Sequence, residues 1–172
     1  MFFLIPYARL TLKTYLSPFE VETRLRDNVQ SRAIGMRIKA YFRLSEHKPF
    51  EGKVANGTFN INRIIHYRNS WLPYLKGKIE QDLDTTQIIF TATPPLFSMV
   101  ITVLAIFLVP FAILMAIIQE SPNSLTGFLG PVFIALLFVL FFYVVSIAFF
   151  NYEIRKSLKI LKEITEAIDS PI

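Results

Sequence analysis

Residues 96–118 have the sequence LFSMVITVLAIFLVPFAILMAII, a run of 23 residues without a charged side chain. A helix of this length extends roughly 35 Å, at about 1.5 Å per residue, and can cross a hydrocarbon core of about 30 Å with some tilt. Pro94 and Pro95 suit the first turn of such a helix, and Thr93 is placed to cap it. Pro110 is expected to kink the helix without preventing insertion. The run therefore predicts a membrane-spanning helix.

A second uncharged run, LGPVFIALLFVLFFYVVSIAFF at residues 129–150, follows a connector of residues 119–128. Gly127 and the Gly130-Pro131 pair indicate a helix start, so a second spanning helix is predicted. The whole chain is 53% hydrophobic and 18% charged, with a mean hydropathy of +0.45, which is too apolar for an ordinary soluble domain. These features predict an integral membrane protein. A buried helical hairpin in a large soluble complex is the alternative.

The basic residues around the two runs predict the orientation of the chain. The connector carries no Lys or Arg, whereas six basic residues flank the other membrane ends, namely Lys76, Lys78, Arg155, Lys156, Lys159 and Lys162. Because basic flanks are enriched on the cytoplasmic side, both termini are predicted to be cytoplasmic. Residues 1–8 are apolar but lack a basic segment, so no cleaved signal peptide is expected.

Residues 1–95 show the patterns of a small α+β domain. In residues 8–16, Leu10 and Leu12 alternate with polar side chains, as in a half-buried strand. The sequence Ser-Pro-Phe-Glu at residues 17–20 has the form of a capping box and predicts a helix. The stripe that would pack this helix on a sheet consists of Val21, Leu25 and Val29.

The rest of this domain is predicted to be an antiparallel meander. Asn56-Gly57 is its strongest turn signal, because both residues tolerate the positive φ of a two-residue hairpin. Asp82 and Asp84 indicate the last turn. The predicted strands are one with Ala40, Phe42 and Leu44 on one face, a short one through Phe50, Gly52 and Val54, and then Thr58 to Arg68, Leu72 to Glu80 and Thr86 to Thr93. The predicted fold class is thus α+β, with one helix covering one face of a curved sheet.

Residues 151–172 predict an amphipathic C-terminal helix after the two-helix transmembrane hairpin of residues 96–150. Apolar side chains recur there at helical spacing, at Ile154, Leu158, Leu161, Ile164 and Ile168. Three placements remain open for this tail: against the domain, in the anionic membrane interface, or against another copy of the chain.

One segment of the sequence resembles a pattern found in other proteins. Phe50-x-Gly52-x-Val54, followed by Phe59-x-Ile61-x-Arg63-x-Ile65-x-Tyr67-Arg68-Asn69-Ser70-Trp71, resembles a pattern in uncharacterised bacterial membrane proteins that carry such a domain ahead of two membrane helices. The resemblance covers residues 50–95 and the hairpin; it implies a bacterial inner (plasma) membrane and no known activity. The order strand, helix, meander is also similar to the start of helix-grip lipid-binding domains and, less closely, to pleckstrin-homology-like sheets, in topology alone.

Arg63 is the residue for which the sequence gives the most specific hypothesis about a binding site. Under strict alternation it shares a face with Phe59 and Ile61, where a guanidinium needs a carboxylate, a carbonyl cluster or an anionic ligand. A β-bulge at Ile64 and Ile65, or a structural salt bridge, is the alternative to a ligand. The other candidate binding residues are Tyr67, Arg68, Asn69, Ser70 and Trp71. They supply donors and rings for a phosphate or lipid headgroup, or else a loop that hydrogen-bonds its own backbone.

No catalytic or metal-binding constellation is recognisable in the sequence. Cysteine is absent, and neither His47 nor His66 has a second ligand at a useful spacing. No paired carboxylates suit acid-base work, because Asp82 and Asp84 belong to a turn. We therefore predict a non-enzymatic protein without cofactor or metal.

The charge of the domain indicates its partners. Residues 1–95 hold 14 Lys and Arg against 8 Asp and Glu, which predicts attraction to anionic lipid, and no basic motif indicates nucleic acid. The leading hypothesis is an accessory or assembly subunit whose cytoplasmic domain binds a partner protein or an anionic lipid surface. The membrane helices, through Ala112 and Ala116, or the tail offer a further protein contact. A membrane-tethered small-molecule or lipid-binding module of helix-grip or pleckstrin-homology type is the alternative.

Overall fold

A computed structural model describes residues 3–31, 48–120 and 125–169 of the chain. The strands are β1 (Ala8–Thr14), β2 (Val29–Ser31), β3 (Phe50–Ala55), β4 (Thr58–Arg63), β5 (Tyr74–Asp82), β6 (Thr85–Thr93) and β7 (Ile168–Asp169). The helices are α1 (Pro18–Asn28), α2 (Leu96–Glu120) and α3 (Leu125–Thr165). The α+β class is confirmed. The predicted strand through Ala40, Phe42 and Leu44, like His47, lies outside the described residues.

The strands form one sheet in the order β2-β3-β4-β5-β6-β1-β7. Strands β3 to β6 are the predicted antiparallel meander, and β1 returns to pair with β6. The short strand β2 follows α1 directly and pairs in parallel with β3. Strand β7 adds a last pairing to β1, so the two ends of the described chain meet at one edge of the sheet.

The local signals in the first part of the chain are confirmed. In α1, the Ser17 hydroxyl accepts from the backbone N–H of Glu20, whose carboxylate accepts from the backbone N–H of Ser17, and so completes the capping box. Val21 and Leu25 are fully buried, while Val29 belongs to β2 instead of the helix. Asn56 and Gly57 have φ of 52° and 69°, as a two-residue hairpin turn requires.

The meander differs from the prediction at β4, which was expected to reach Arg68 and ends at Arg63. Its partner β3 begins at Phe50, and Phe50 and Arg63 form the last pair of this ladder. The backbone N–H of Ile64 still bonds to the carbonyl of Pro49 at 2.9 Å, and then the chain leaves the sheet. Strand β5 also starts later than predicted, at Tyr74.

Helices α2 and α3 are both long and apolar enough to cross a membrane. Helix α2 starts at the predicted residue, Leu96. Helix α3 starts at Leu125, so the predicted start at residues 127–131 is wrong: its glycines and Pro131 lie in the first two turns. Pro131 lies inside the helix, where proline removes one backbone hydrogen bond and crowds the carbonyl four residues earlier. Helix α3 also does not end after Phe150 but continues to Thr165.

The core lies between one face of the sheet and two helices, α1 and the C-terminal part of α3. Its fully buried apolar side chains are Val21, Leu25, Phe50, Ile61, Leu75, Ile88, Ala92, Phe150, Ile154 and Leu161. Of the three placements left open for the tail, the structure shows packing against the domain, by residues that continue α3. Ile168, which was predicted on the helical stripe, lies in β7 and is exposed.

Candidate functional site

The structure places Arg63 where the sheet meets α3. Arg63 is the last residue of β4 and shares the core face with Phe59 and Ile61, as strict alternation predicts. Its side chain is 11% exposed, and the side chain of Glu153 opposite it is fully buried. Of the two alternatives to a ligand, the salt bridge is therefore the observed one, and the β-bulge is wrong because β4 ends while Arg63 still faces the core.

Two further side chains complete this group, which we call the Glu153 cluster: Arg63, Tyr67, Asn69 and Glu153. Arg63 Nη2 donates to Glu153 Oε2, and also to Tyr67 Oη at 2.8 Å. The Tyr67 hydroxyl donates to Glu153 Oε1, and Asn69 Nδ2 donates to the same oxygen at 2.9 Å. Both carboxylate oxygens are thus hydrogen-bonded, by three donors from β4 and the segment that follows it.

These contacts set the charge states of the cluster. Burial by itself raises the pKa of Glu153, but the hydrogen bonds from Tyr67, Arg63 and Asn69 outweigh burial and hold that pKa below its usual value. Burial likewise opposes the charge of Arg63, yet its bonds to Glu153 and Tyr67 leave its pKa raised. Burial and the bond to Glu153 raise the pKa of Tyr67. At neutral pH the cluster therefore holds a carboxylate, a guanidinium and a neutral phenol.

Three of the six candidate binding residues, Arg63, Tyr67 and Asn69, come together in this cluster. Asn69 Oδ1 also accepts from the backbone N–H of Trp71 at 2.9 Å, so this segment bonds in part to its own backbone. The Ser70 carbonyl accepts a hydrogen bond from the hydroxyl of Ser98 in α2. Arg68 is exposed and is not part of the cluster, and Trp71 is half-buried.

Sequence reasoning did not identify Glu153, although a signal for it exists. It is the first charged residue after the uncharged run, and it lies on the helix face that also carries Phe150, Ile154 and Ser157, all buried. A lone carboxylate on an apolar face needs a buried partner. That partner, Arg63, lies 90 positions away in the sequence.

The Glu153 cluster is a contact between the sheet and α3. Its charges are matched inside the chain, and within residues 3–31, 48–120 and 125–169 only Arg63 Nε and Ser157 Oγ are buried side-chain polar atoms without a hydrogen bond. The same residues hold no group of three or more His, Cys, Asp or Glu side chains suited to a metal ion. The cluster therefore fixes the domain to α3.

The opposite face of the sheet, which no helix of the described residues covers, carries a line of polar residues that crosses five strands. Lys53 is paired with Asn60, Asn60 with Lys76, Lys76 with Thr91, and Thr91 with Arg9. The three cations lie on alternate strands, so their backbones are about 10 Å apart. We call Arg9, Lys53 and Lys76 the basic row.

The basic row differs from the other cations on this face. Lys13 and Lys78 form salt bridges with Asp82 and Glu80. Arg9, Lys53 and Lys76 are exposed and form no salt bridge with any residue that the structure describes.

An apolar cavity of about 220 Å³ lies between α2 and α3. Its lining consists of Pro110, Ile113, Leu114, Ile117, Val132, Ala135, Leu136 and Val139. A specific ligand pocket normally adds a few polar groups that orient its ligand, and this lining contains no polar side chain. The cavity therefore does not have the composition of a site for a polar ligand.

No protein-family model matches the chain, and no curated protein or solved structure is significantly similar to it. The assignment of function therefore rests on the geometry of the chain itself.

Proposed function

We propose that this chain is a non-enzymatic integral membrane protein that holds a basic docking face at a fixed orientation beside the membrane, as an accessory or assembly subunit. Helix α2 and residues 129–150 of α3 cross the bilayer, the sheet domain is cytoplasmic, and the basic row binds an acidic segment of a partner protein. The observation that carries this proposal is the continuity of α3 from its uncharged stretch into the core of the domain.

Exposed apolar side chains support the membrane assignment. Large rings on α2 and α3 point away from the protein, including those of Phe107, Phe111, Phe133, Phe141 and Phe149. Apolar surface of this extent is unfavourable in water, at about 25 cal/mol per Å², and is expected where hydrocarbon replaces water. The six basic residues that flank the helices on the domain side favour a cytoplasmic domain.

The Glu153 cluster gives the domain a defined orientation. Residues 151–165 of α3 extend about 22 Å beyond the uncharged stretch and pack on the sheet. A helix that packs on a sheet lies parallel to the plane of the sheet, and spanning helices are tilted on average about 20° from the membrane normal. The sheet therefore stands upright on the membrane, and its basic row faces sideways. This orientation favours a neighbouring protein over the lipid surface.

The spacing of the basic row suits an extended acidic segment. Three cations about 10 Å apart can each bind a carboxylate, and Asn60 and Thr91 between them offer hydrogen bonds. Such complementarity guides association and selects the partner more than it adds affinity.

The packing of the core counts against the alternative of a lipid-carrying or small-molecule module. A helix-grip type of site needs a cavity between the sheet and its helices. Side chains that line such a cavity keep accessible surface even when the cavity is closed. Leu25, Phe50, Phe150 and Leu161 occupy this space and have none.

A peptide-binding experiment tests the docking face. The full chain is placed in neutral phosphatidylcholine nanodiscs, and the anisotropy of a fluorescent glutamate-rich dodecapeptide is followed at low and at physiological salt. The variant Arg9→Gln/Lys53→Gln/Lys76→Gln is compared with Arg24→Gln/Arg26→Gln/Lys159→Gln. The control removes the same charge from the helices, where the three basic side chains are themselves exposed and each pairs with a glutamate. Such ion pairs contribute little to stability.

We expect wild type to bind the peptide with an affinity that falls as salt rises, and the basic-row variant to lose at least tenfold. The control should lose less than twofold. Equal losses in both variants, or no binding by wild type, would overturn the proposed docking face. Capture of phosphatidylglycerol vesicles by wild type but not by the basic-row variant, without peptide binding, would assign the face to lipid instead.

A further inference from the structure

The segment Phe3–Tyr7, which precedes β1, lies along the uncharged part of α3. The ring of Phe3 packs edge-on against that of Phe150, with 6.4 Å between centroids. The hydroxyl of Tyr143 donates to the carbonyl of Leu4 at 2.7 Å. Tyr143 precedes Phe150 by seven residues, so its backbone lies about 10 Å further along the helix, away from the domain. The segment therefore lies beside the last two turns of the uncharged stretch.

The side chains of Leu4, Ile5 and Tyr7 point away from the protein. Leu4 and Ile5 are 68% and 69% exposed, and Tyr7 is half-exposed. Leu4 is bonded to Tyr143 of α3, and the outward-facing apolar residues of α3 include Val144 and Phe149. Exposed apolar residues next to a lipid-facing helix are expected to face lipid as well.

Five backbone polar groups of the segment are hydrogen-bonded. Phe3 donates its N–H to Asn151 Oδ1 and accepts from Asn151 Nδ2, both at 2.8 Å. The carbonyl of Leu4 is occupied by Tyr143, and the carbonyl of Ile5 accepts from the N–H of Tyr7 at 2.7 Å. Pro6 has no N–H. An unpaired backbone group is costly in hydrocarbon, and here two polar side chains of α3 bond to the segment.

We infer that Phe3–Tyr7 is a third membrane contact, in which Leu4 and Ile5 enter the hydrocarbon of the cytoplasmic leaflet beside α3. Asn151 and Tyr143 hold its backbone, and the amphipathic ring of Tyr7 lies near the headgroups. The inference rests on the proposed membrane insertion of α3. Its partner is the acyl-chain region of the bilayer, and its effect is to hold the domain close to the membrane surface at the start of β1.

Spin labels measure this depth directly, because the chain has no cysteine and single substitutions give labels without background. Leu4→Cys and Ile5→Cys are labelled in the full chain in nanodiscs, and collision rates with oxygen and with a water-soluble nickel chelate are compared. Val144→Cys on α3 is the lipid reference, and Tyr15→Cys, at a residue 79% exposed on the domain, is the aqueous reference.

We expect the ratio of oxygen to nickel accessibility at Leu4 and Ile5 to match Val144 and to exceed that at Tyr15 at least fivefold. A ratio equal to that at Tyr15, with Val144 in lipid, would overturn this inference alone. A nickel-accessible Val144 would overturn the proposed membrane insertion as well.

A second pair of variants tests how the segment is held. Asn151→Ala removes both bonds to Phe3, so the ratio at a Leu4 label should fall at least twofold toward the aqueous value. Ser146→Ala is the matched control, because the Ser146 hydroxyl bonds to the Phe142 carbonyl of its own helix. An unchanged ratio in Asn151→Ala, or an equal fall in Ser146→Ala, would contradict the assigned role of Asn151.

Discussion

Arg63 at the end of β4 and Glu153 in α3 form a buried salt bridge across 90 positions of sequence. Glu153 lies three residues beyond the uncharged stretch that ends at Phe150. The pair therefore joins the sheet to the point where α3 enters the domain. A change at either residue acts on the attachment of the domain to the helices.

Loss of one partner from this pair should be strongly destabilising. Glu153→Gln leaves the guanidinium of Arg63 buried without a counter-charge, and we expect a loss of about 3–5 kcal/mol in the free energy of unfolding. The double variant Arg63→Met/Glu153→Met removes both charges and should recover most of that loss. Denaturant unfolding in detergent, followed by the fluorescence of the single tryptophan Trp71, measures both.

The exposed pair Arg24–Glu166 is the control for this cycle. Replacement of either of its residues by alanine should cost less than about 1 kcal/mol, because exposed ion pairs contribute little. A loss for Glu153→Gln no larger than for Glu166→Ala would show that the Glu153 cluster does not hold the domain to α3.

Lowering the pH should remove the contribution of Glu153 to the free energy of unfolding. Its pKa in the folded protein is lowered, so its contribution to stability is fully present above its unfolded pKa of about 4.3 and is lost as the pH falls through the folded pKa. Glu153→Gln imitates the protonated side chain. The difference in unfolding free energy between wild type and Glu153→Gln should therefore be constant from pH 7 to about pH 5 and narrow below it. A difference that stays constant to pH 3 would refute the lowered pKa.

Asn69 and Arg68 should differ sharply although they are adjacent. Asn69→Ala removes a hydrogen bond to the buried carboxylate and one to the backbone N–H of Trp71, and should cost about 1.5–3 kcal/mol. Arg68→Ala changes an exposed side chain outside the cluster and should stay within about 0.5 kcal/mol. Denaturant unfolding of both variants at pH 7 measures the two losses in the free energy of unfolding. Equal losses would place Arg68 in the same structural unit as Asn69.

The elements that the sequence predicted are those with local causes. Alternation of Leu10 and Leu12 along β1 follows from the period of a strand, and the capping box at residues 17–20 depends on side chains three residues apart. The turn at Asn56 and Gly57 depends on the positive φ of those two residues alone. None of these features needs a distant partner, so the pattern was sufficient.

The errors in the prediction have long-range causes. Strand β4 ends at Arg63 because its neighbour β3 begins at Phe50, which the pattern within β4 does not reveal. The change from apolar to charged composition after Phe150 suggested a separate tail, yet residues 150–153 contain no helix breaker and α3 continues. Glu153 was missed because a helical stripe does not show which face meets the sheet.

Topology mapping in vesicles tests the proposed two crossings of the membrane. Tyr15, Asn123 and Lys159 are each replaced by cysteine in separate variants. Each variant is reacted with a membrane-impermeant maleimide in two preparations of sealed vesicles, which expose opposite sides of the membrane. We expect cysteines at positions 15 and 159 to react from the cytoplasmic side and the cysteine at position 123 from the opposite side. Reaction of all three from one side, or of Tyr15 and Lys159 from opposite sides, would contradict two crossings with the domain and the end of α3 together.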